Sequence, residues 1–213
     1  MSQPPPPHSA GQTPCPDDPS ATPLARECAV QGTALLIIDM MGDWRFPGAQ
    51  DLLERAVAIA PAIQSLKARC KAAQVPVIYA NDNHGRWRSD ARALVEEGLA
   101  AGGDRAQLAQ WLRPDDDDYF VLKPKHSAFF ATPLDLLLSH LKAHRLILTG
   151  TASDQCVLAT AIDGRMRDYE LLCPRDCLTA TDEQRHANAM RHLAEVLRLD
   201  TPDSTELRLP GES

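Results

Sequence analysis

The stretch Thr33–Asp39, reading TALLIID, decides the fold. A strand with one wet face alternates apolar and polar residues, whereas one covered on both faces reads as an unbroken apolar run. This run is unbroken until its closing carboxylate, so it predicts a strand buried on both faces of a parallel sheet. Working outward, apolar residues at Leu52, Leu53, Ala56, Ile59, Ile63 and Leu66 predict a helix from Asp51 to about Ala73. Val75–Ala80 reads as a second strand, with its proline near the start where a strand tolerates one. Helical stretches interrupted by Gly102-Gly103 then reach about Leu112. A third strand is predicted at Tyr119–Leu122, a helix at Pro133–Ala143 and a fourth strand at Arg145–Thr149. There follow the segment Gly150 to Cys156, a helix to about Asp168, a strand at Glu170–Cys173, a long helix from Asp182 to Leu199 and a last strand at Thr205–Leu209. Strand and helix thus alternate about six times. That alternation means right-handed βαβ units and an α/β fold of three layers, α/β/α and Rossmann-like, around a mostly parallel sheet of about six strands.

Composition bounds the rest. The chain has 213 residues, and from about residue 29 onward it is long enough for one domain with its own core. Residues 1 to about 28 hold eight of the 17 prolines, a composition that favours a disordered or polyproline-like tail over a packed core. The net charge of −7 argues against a nucleic-acid partner, which would need a basic stripe. No apolar run approaches the roughly 20 residues of a membrane span, and no secretory signal opens the chain. A cytoplasmic protein acting on a small molecule, away from membranes, is expected. Six cysteines without a C-x-x-C pair fit a reducing compartment. Asp115–Asp118 reads as a solvated turn.

In open parallel sheets chemistry gathers outside the carboxyl ends of the strands. Three reactive residues fall there. Asp39 ends strand one, Lys123 ends strand three, and Cys156 follows strand four. Ser153 suits an N-cap, which would set Cys156 at the third helical position among unpaired N–H groups. There the helix dipole and the Lys123 ammonium would favour the thiolate. Asp39 could take and return the proton, and local amides, the N–H of Cys156 among them, could stabilise an oxyanion.

The same residues carry a family resemblance. Ala34-Leu-Leu-Ile-Ile-Asp39-Met-Met-Gly-Asp43-Trp44 resembles the LLVIDMQNDF opening of the isochorismatase-like cysteine hydrolases. Lys123-Pro-Lys-His-Ser127-Ala128-Phe129 resembles their K-x-x-x-S-A-F segment, and Gly150-Thr-Ala-Ser-Asp-Gln-Cys156-Val157 their G-V-A-T-D-x-C-V segment. The resemblance spans residues 33 to about 209. It implies a Cys-Asp-Lys triad of Cys156 as nucleophile, Asp39 as general base and Lys123 in support. It further implies a cis peptide at Thr151–Ala152 and an oxyanion hole built from the N–H groups of Ala152 and Cys156. It implies no cofactor, a homo-oligomer with the Pro133–Ala143 helix between subunits, and hydrolysis of a small amide, urea or carbamoyl bond. Met41-Gly42 replaces the usual Gln-Asn and Trp44 the usual Phe, so substrate shape is left open.

Trp44, Trp87 and Phe129 are candidate pocket walls, each in a loop at a strand's carboxyl end. Arg86 or Arg88 would suit an anionic substrate. Some similar enzymes hold a metal with D-x-H-x5-H; the register here gives Asp82, His84 and Asp90, with Asp in place of the second His, and no metal is expected. His126, His186 and His192 show no register that would pair them with Cys156. Two other readings stay open, a vinyl ether hydrolase of isochorismate type and a non-catalytic ligand scaffold. A redox role for Cys173 and Cys177 ranks below both.

Overall fold

The computed structural model describes residues 32–83, 85 and 90–212; the proline-rich tail, His84, Arg86, Trp87 and Arg88 lie outside them. Five parallel strands form one sheet: β1 (Thr33–Ile38), β2 (Val77–Asp82), β3 (Tyr119–Lys123), β4 (Arg145–Gly150) and β5 (Glu170–Leu172), in the order β3-β2-β1-β4-β5. The helices are α1 (Ala49–Ala72), α2 (Ala91–Ala100), α3 (Gly103–Trp111), α4 (Leu134–His140), α5 (Leu158–Met166) and α6 (Glu183–Arg191). One wide π-type turn, Ser153–Val157, leads into α5, and another, His192–Val196, extends α6.

Every residue of β1 is buried, and their alternation builds two cores. Leu35 and Ile37 face α1, α2 and α3, whereas Ala34, Leu36 and Ile38 face α4, α5 and the turn after α6. That is the three-layer α/β/α arrangement expected from the sequence. Among the described residues there is no sixth strand. Around Thr205 the chain instead makes a 3-10 turn, Ser204–Glu206, fixed by a capping box. Asp203 caps one end, the Glu206 carboxylate accepts from the Asp203 N–H, and Ser204 bonds the Asp176 carboxylate through both N–H and hydroxyl. Side chains that satisfy a turn so fully outcompete the short apolar alternation of the segment.

The acidic run is the exposed turn the sequence predicts, and its carboxylates also pair with α1. Lys67 of α1, largely buried, lies 2.7 Å from Asp118 and 3.1 Å from Asp115 and also donates to the Arg113 carbonyl. Lys71 pairs with Asp117 and Asp118. The carboxylates of Asp115, Asp117 and Asp118 do come close enough together to hold an ion, but two ammonium groups already fill that role and clasp α1 to the start of β3.

Four cysteines among the described residues are free and buried. Burial pushes the thiols of Cys70 and Cys173 up to about 12, and that of Cys177 up as well. A thiol held neutral in the fold ionises more readily once unfolded, so its stabilising contribution is whole below the free-thiol value of about 8.5 and is lost as pH rises toward the folded value. Urea midpoints are therefore expected to fall steadily between about pH 8.5 and about pH 11, with a shallower fall in Cys173→Ala.

Candidate active site

The strand order reverses at β1, because β2 and β3 lie on one side of it and β4 and β5 on the other. Asp39 leaves the carboxyl end of β1 at that reversal, in a left-handed turn with φ of 49°. Three contacts hold it. Its N–H donates to the Ala80 carbonyl at 3.0 Å, its carbonyl accepts from the Thr151 hydroxyl at 2.9 Å, and its Oδ1 accepts from the Asp82 N–H at 2.7 Å. Gly150 makes this close approach possible. A Cβ there would stand 2.1 Å from the Ile38 carbonyl oxygen, and its φ of 104° suits glycine alone.

Lys123 arrives from β3, two strands away. Neighbouring strands lie about 4.8 Å apart, so only a long side chain crosses the end of β2 to reach β1. The Lys123 stem does so wholly buried, and Nζ stops 2.8 Å from Asp39 Oδ2, 3.6 Å from Asp82 Oδ2 and 3.4 Å from Cys156 Sγ. Burial alone would lower this ammonium, but attraction to Asp39, Cys156 and Asp82 outweighs it and holds the group above the ordinary lysine value.

Cys156 enters from the turn after β4, where the Thr151–Ala152 peptide bond is cis. Ser153 is not the N-cap. It lies inside the turn, its N–H donating to the Thr179 carbonyl and its hydroxyl contacting His186, so Cys156 falls at the fourth position of the turn. The surroundings push the Cys156 thiol above its ordinary value rather than below it. Burial raises its pKa first, the Asp39 carboxylate adds to that, and Lys123 offsets only part because its charge is shared with two carboxylates. Sγ thus sits within reach of an ammonium that is itself paired with a carboxylate. It follows that Asp39→Asn should speed alkylation of Cys156 by iodoacetamide at neutral pH, by removing the negative charge while Lys123 stays. Mass spectrometry of the labelled peptide over time checks this, and a slower rate would contradict the assignment of cause.

Asp39 and Cys156 line one pocket of about 250 Å³. Asp82, Thr151 and Ala152 line it too, with Met41, Trp44, Phe46 and Leu52 as apolar lining and Asn81, His126 and Gln155 as further polar lining. Trp44 is where the sequence suggested, tilted against Phe46 with ring centroids 6.1 Å apart. Phe129 is not a pocket wall. It is buried in the core between the sheet and α5, 5.6 Å from the Tyr169 ring with Arg167 over its face, because the loop after β3 turns inward to anchor on that helix. Trp87 falls outside the described residues, as do Arg86 and Arg88.

Five lining residues are not visible as such in the sequence. Phe46, Leu52, Asn81 and Gln155 carry no site signal there, and His126 has no register with Cys156, yet its Nδ1 lies 3.5 Å from Cys156 Sγ. The segment K-x-x-H placed it one turn of loop beyond Lys123, the signal that could have found it. His186 bonds Ser153 instead.

Two residues of the metal register have partners within the fold. Asp90 caps α2, its Oδ1 accepting from the Ala93 N–H at 2.8 Å, and Asp82 turns toward the Lys123 ammonium. His84 is outside the described residues.

The architecture and its contents define a doubly wound α/β/α domain with a cysteine, a carboxylate and an ammonium gathered at the switch point of the sheet. Residues 33–201 match the family model described as Isochorismatase domain, and the chain belongs to the isochorismatase family. Among its relatives, the uncharacterised isochorismatase family protein YaaI of Bacillus subtilis is 36% identical over 165 residues, covering 77% of this chain and 90% of YaaI. The ureidoacrylate amidohydrolase RutB of Pantoea ananatis is 33% identical over 175 residues, covering 70% of each. The solved structure of an isochorismatase family protein from Desulfovibrio vulgaris superposes with a TM-score of 0.67 at 26% identity, over 82% of this chain and 95% of that one. No helix among the described residues is long and apolar enough to cross a membrane.

Proposed function

We propose that this protein is a cysteine hydrolase that cleaves a C–N bond of a small amide, urea or carbamoyl compound. The observation that carries the reading is the fully buried Lys123 ammonium touching both Asp39 and Cys156, which line one pocket. Burying an ammonium costs several kcal/mol, an arrangement a structural role alone would rarely sustain beside a thiol. The amidohydrolase relative supports the bond class.

In this reading the Cys156 thiol gives its proton to Asp39 as Sγ adds to the carbonyl carbon. Lys123 stabilises the negative charge while it moves from carboxylate to sulfur, which it contacts simultaneously. The oxyanion sits against the N–H groups of Ala152 and Cys156. Collapse expels the nitrogen and leaves a thioester on Cys156, which water hydrolyses. The apolar side of Met41, Trp44, Phe46 and Leu52 takes the rest of the substrate.

A panel of small primary amides, ureas and N-carbamoyl compounds tests the bond class. Ammonia release by at least one member is expected. Release of pyruvate from isochorismate with no ammonia from the panel would overturn it in favour of vinyl ether hydrolysis, and tight binding without turnover in favour of a scaffold.

A further inference from the structure

We propose that His126 is a further catalytic residue, the proton carrier that serves the leaving nitrogen and the hydrolytic water while Asp39 serves the sulfur. The inference rests on Cys156 acting as nucleophile, as proposed above. It begins from the contact of His126 Nδ1 with Cys156 Sγ at 3.5 Å.

That contact is held in place by the fold. His126 itself is exposed, but the residues that follow it are bolted to the helix that continues from Cys156. The Ser127 hydroxyl bonds Asp163 of α5, and the Ala128 N–H donates to the Thr160 hydroxyl at 3.0 Å. The same Thr160 hydroxyl donates to the Cys156 carbonyl at 2.7 Å, so one side chain registers both the histidine loop and the cysteine. Phe129, buried against α5, anchors the loop a second time. On the other side, Lys123 Nζ donates to the Lys125 carbonyl at 3.3 Å. An exposed imidazole gripped from both sides of its loop is placed, not incidental.

Asp39 is poorly suited to do all the proton work. Both of its oxygens are engaged, Oδ1 by the Asp82 N–H and Oδ2 by the Lys123 ammonium. His126 is exposed and lines the same pocket beside the sulfur, so it can serve a departing amine and an entering water. The leaving nitrogen lies one bond beyond the carbon that Sγ attacks, within reach of a ring already touching Sγ.

The protons balance around the cycle. As the S–C bond forms, the thiol proton passes to Asp39. As the C–N bond breaks, the His126 imidazolium gives its Nδ1 proton to the nitrogen. Neutral His126 then takes a proton from water as the O–C bond forms, and Asp39 returns its proton to sulfur when the S–C bond breaks. One water is consumed, an acid and an amine leave, and both side chains end as they began.

p-Nitrophenyl acetate separates this role from a structural one, because its phenolate leaves without needing a proton. Wild type should show a nitrophenol burst that Cys156→Ala lacks; no such Cys156-dependent burst would sink the nucleophile reading itself. His126→Gln should keep the burst rate within about twofold, yet lose about 100-fold in steady-state turnover as acetyl-Cys156 accumulates, visible by mass spectrometry. Added imidazole should restore turnover to His126→Ala through the open side of the pocket. Unchanged turnover in His126→Gln, an equal slowing of burst and turnover, or no restoration by imidazole would each overturn the proposal while leaving Cys156 as nucleophile.

Discussion

Cys156→Ala is expected to fold as wild type does and to lose about 10⁴-fold or more of its turnover, the scale seen when a covalent nucleophile is removed. The thiol contributes no hydrogen bond that the fold needs, since the turn around it is held by the Ser153 N–H to the Thr179 carbonyl and by Thr160 to the Cys156 carbonyl. The change also removes a buried group whose ionisation Asp39 opposes, so the variant should melt within a degree or two of wild type, or slightly above it at alkaline pH. The measurement pairs ammonia release with thermal denaturation. Activity retained at even a tenth of wild type would mean that sulfur is not the attacking atom.

Lys123→Met should lose both activity and stability. The methionine keeps the apolar stem that crosses β2 but leaves Asp39 and Asp82 without the cation that both contact. Breaking a buried ion pair by removing one partner costs about 3–5 kcal/mol, and the partial exposure of the two carboxylates places the expectation at the lower end. Turnover should drop about 10³-fold, because the negative charge has no counterpart as it moves toward sulfur. In wild type the lysine contribution is complete below the unfolded lysine value of about 10.4 and disappears above it; in Lys123→Met that alkaline limb is gone. Urea titration at about pH 7 and about pH 11 separates the two curves. Lys123→Arg is not expected to rescue, since a planar guanidinium is too broad for a fully buried slot shaped around one nitrogen.

Much of this architecture was legible in the sequence because burial on both faces leaves a crude mark. Leu35 and Ile37 touch one core and Leu36 and Ile38 the other, and an unbroken run is the only pattern that serves both. The strand-end filter found Asp39, Lys123 and Cys156 for a related reason: parallel strands deliver their last residues to one edge, whatever lies between. What the sequence hid was anything decided by a side chain meeting a distant partner. Thr205–Leu209 looked like a strand until the Asp176 carboxylate engaged Ser204. Phe129 looked like a pocket wall until α5 offered it a core. His126 had no visible relation to Cys156, because the link runs through Thr160, which is silent in any local pattern. The direction in which the thiol's pKa is pushed was hidden for the same reason. A nearby lysine suggests a thiolate, but two carboxylates claim that lysine first.

The central pairing of β1 with β4 has a consequence for how this chain comes to life. Asp39 and Thr151 are neighbours in space yet 112 residues apart along the backbone. Contacts of such separation are closed late, after the large entropy of the intervening loop has been overcome. As the polypeptide is made from its amino end, the carboxylate emerges first, the lysine next and the sulfur last. Until β4 docks, each is an ordinary solvated group with no chemistry beyond its own. Reactivity is therefore switched on by the same event that seals the middle of the sheet, and recovery of turnover during refolding is a clock for that event alone.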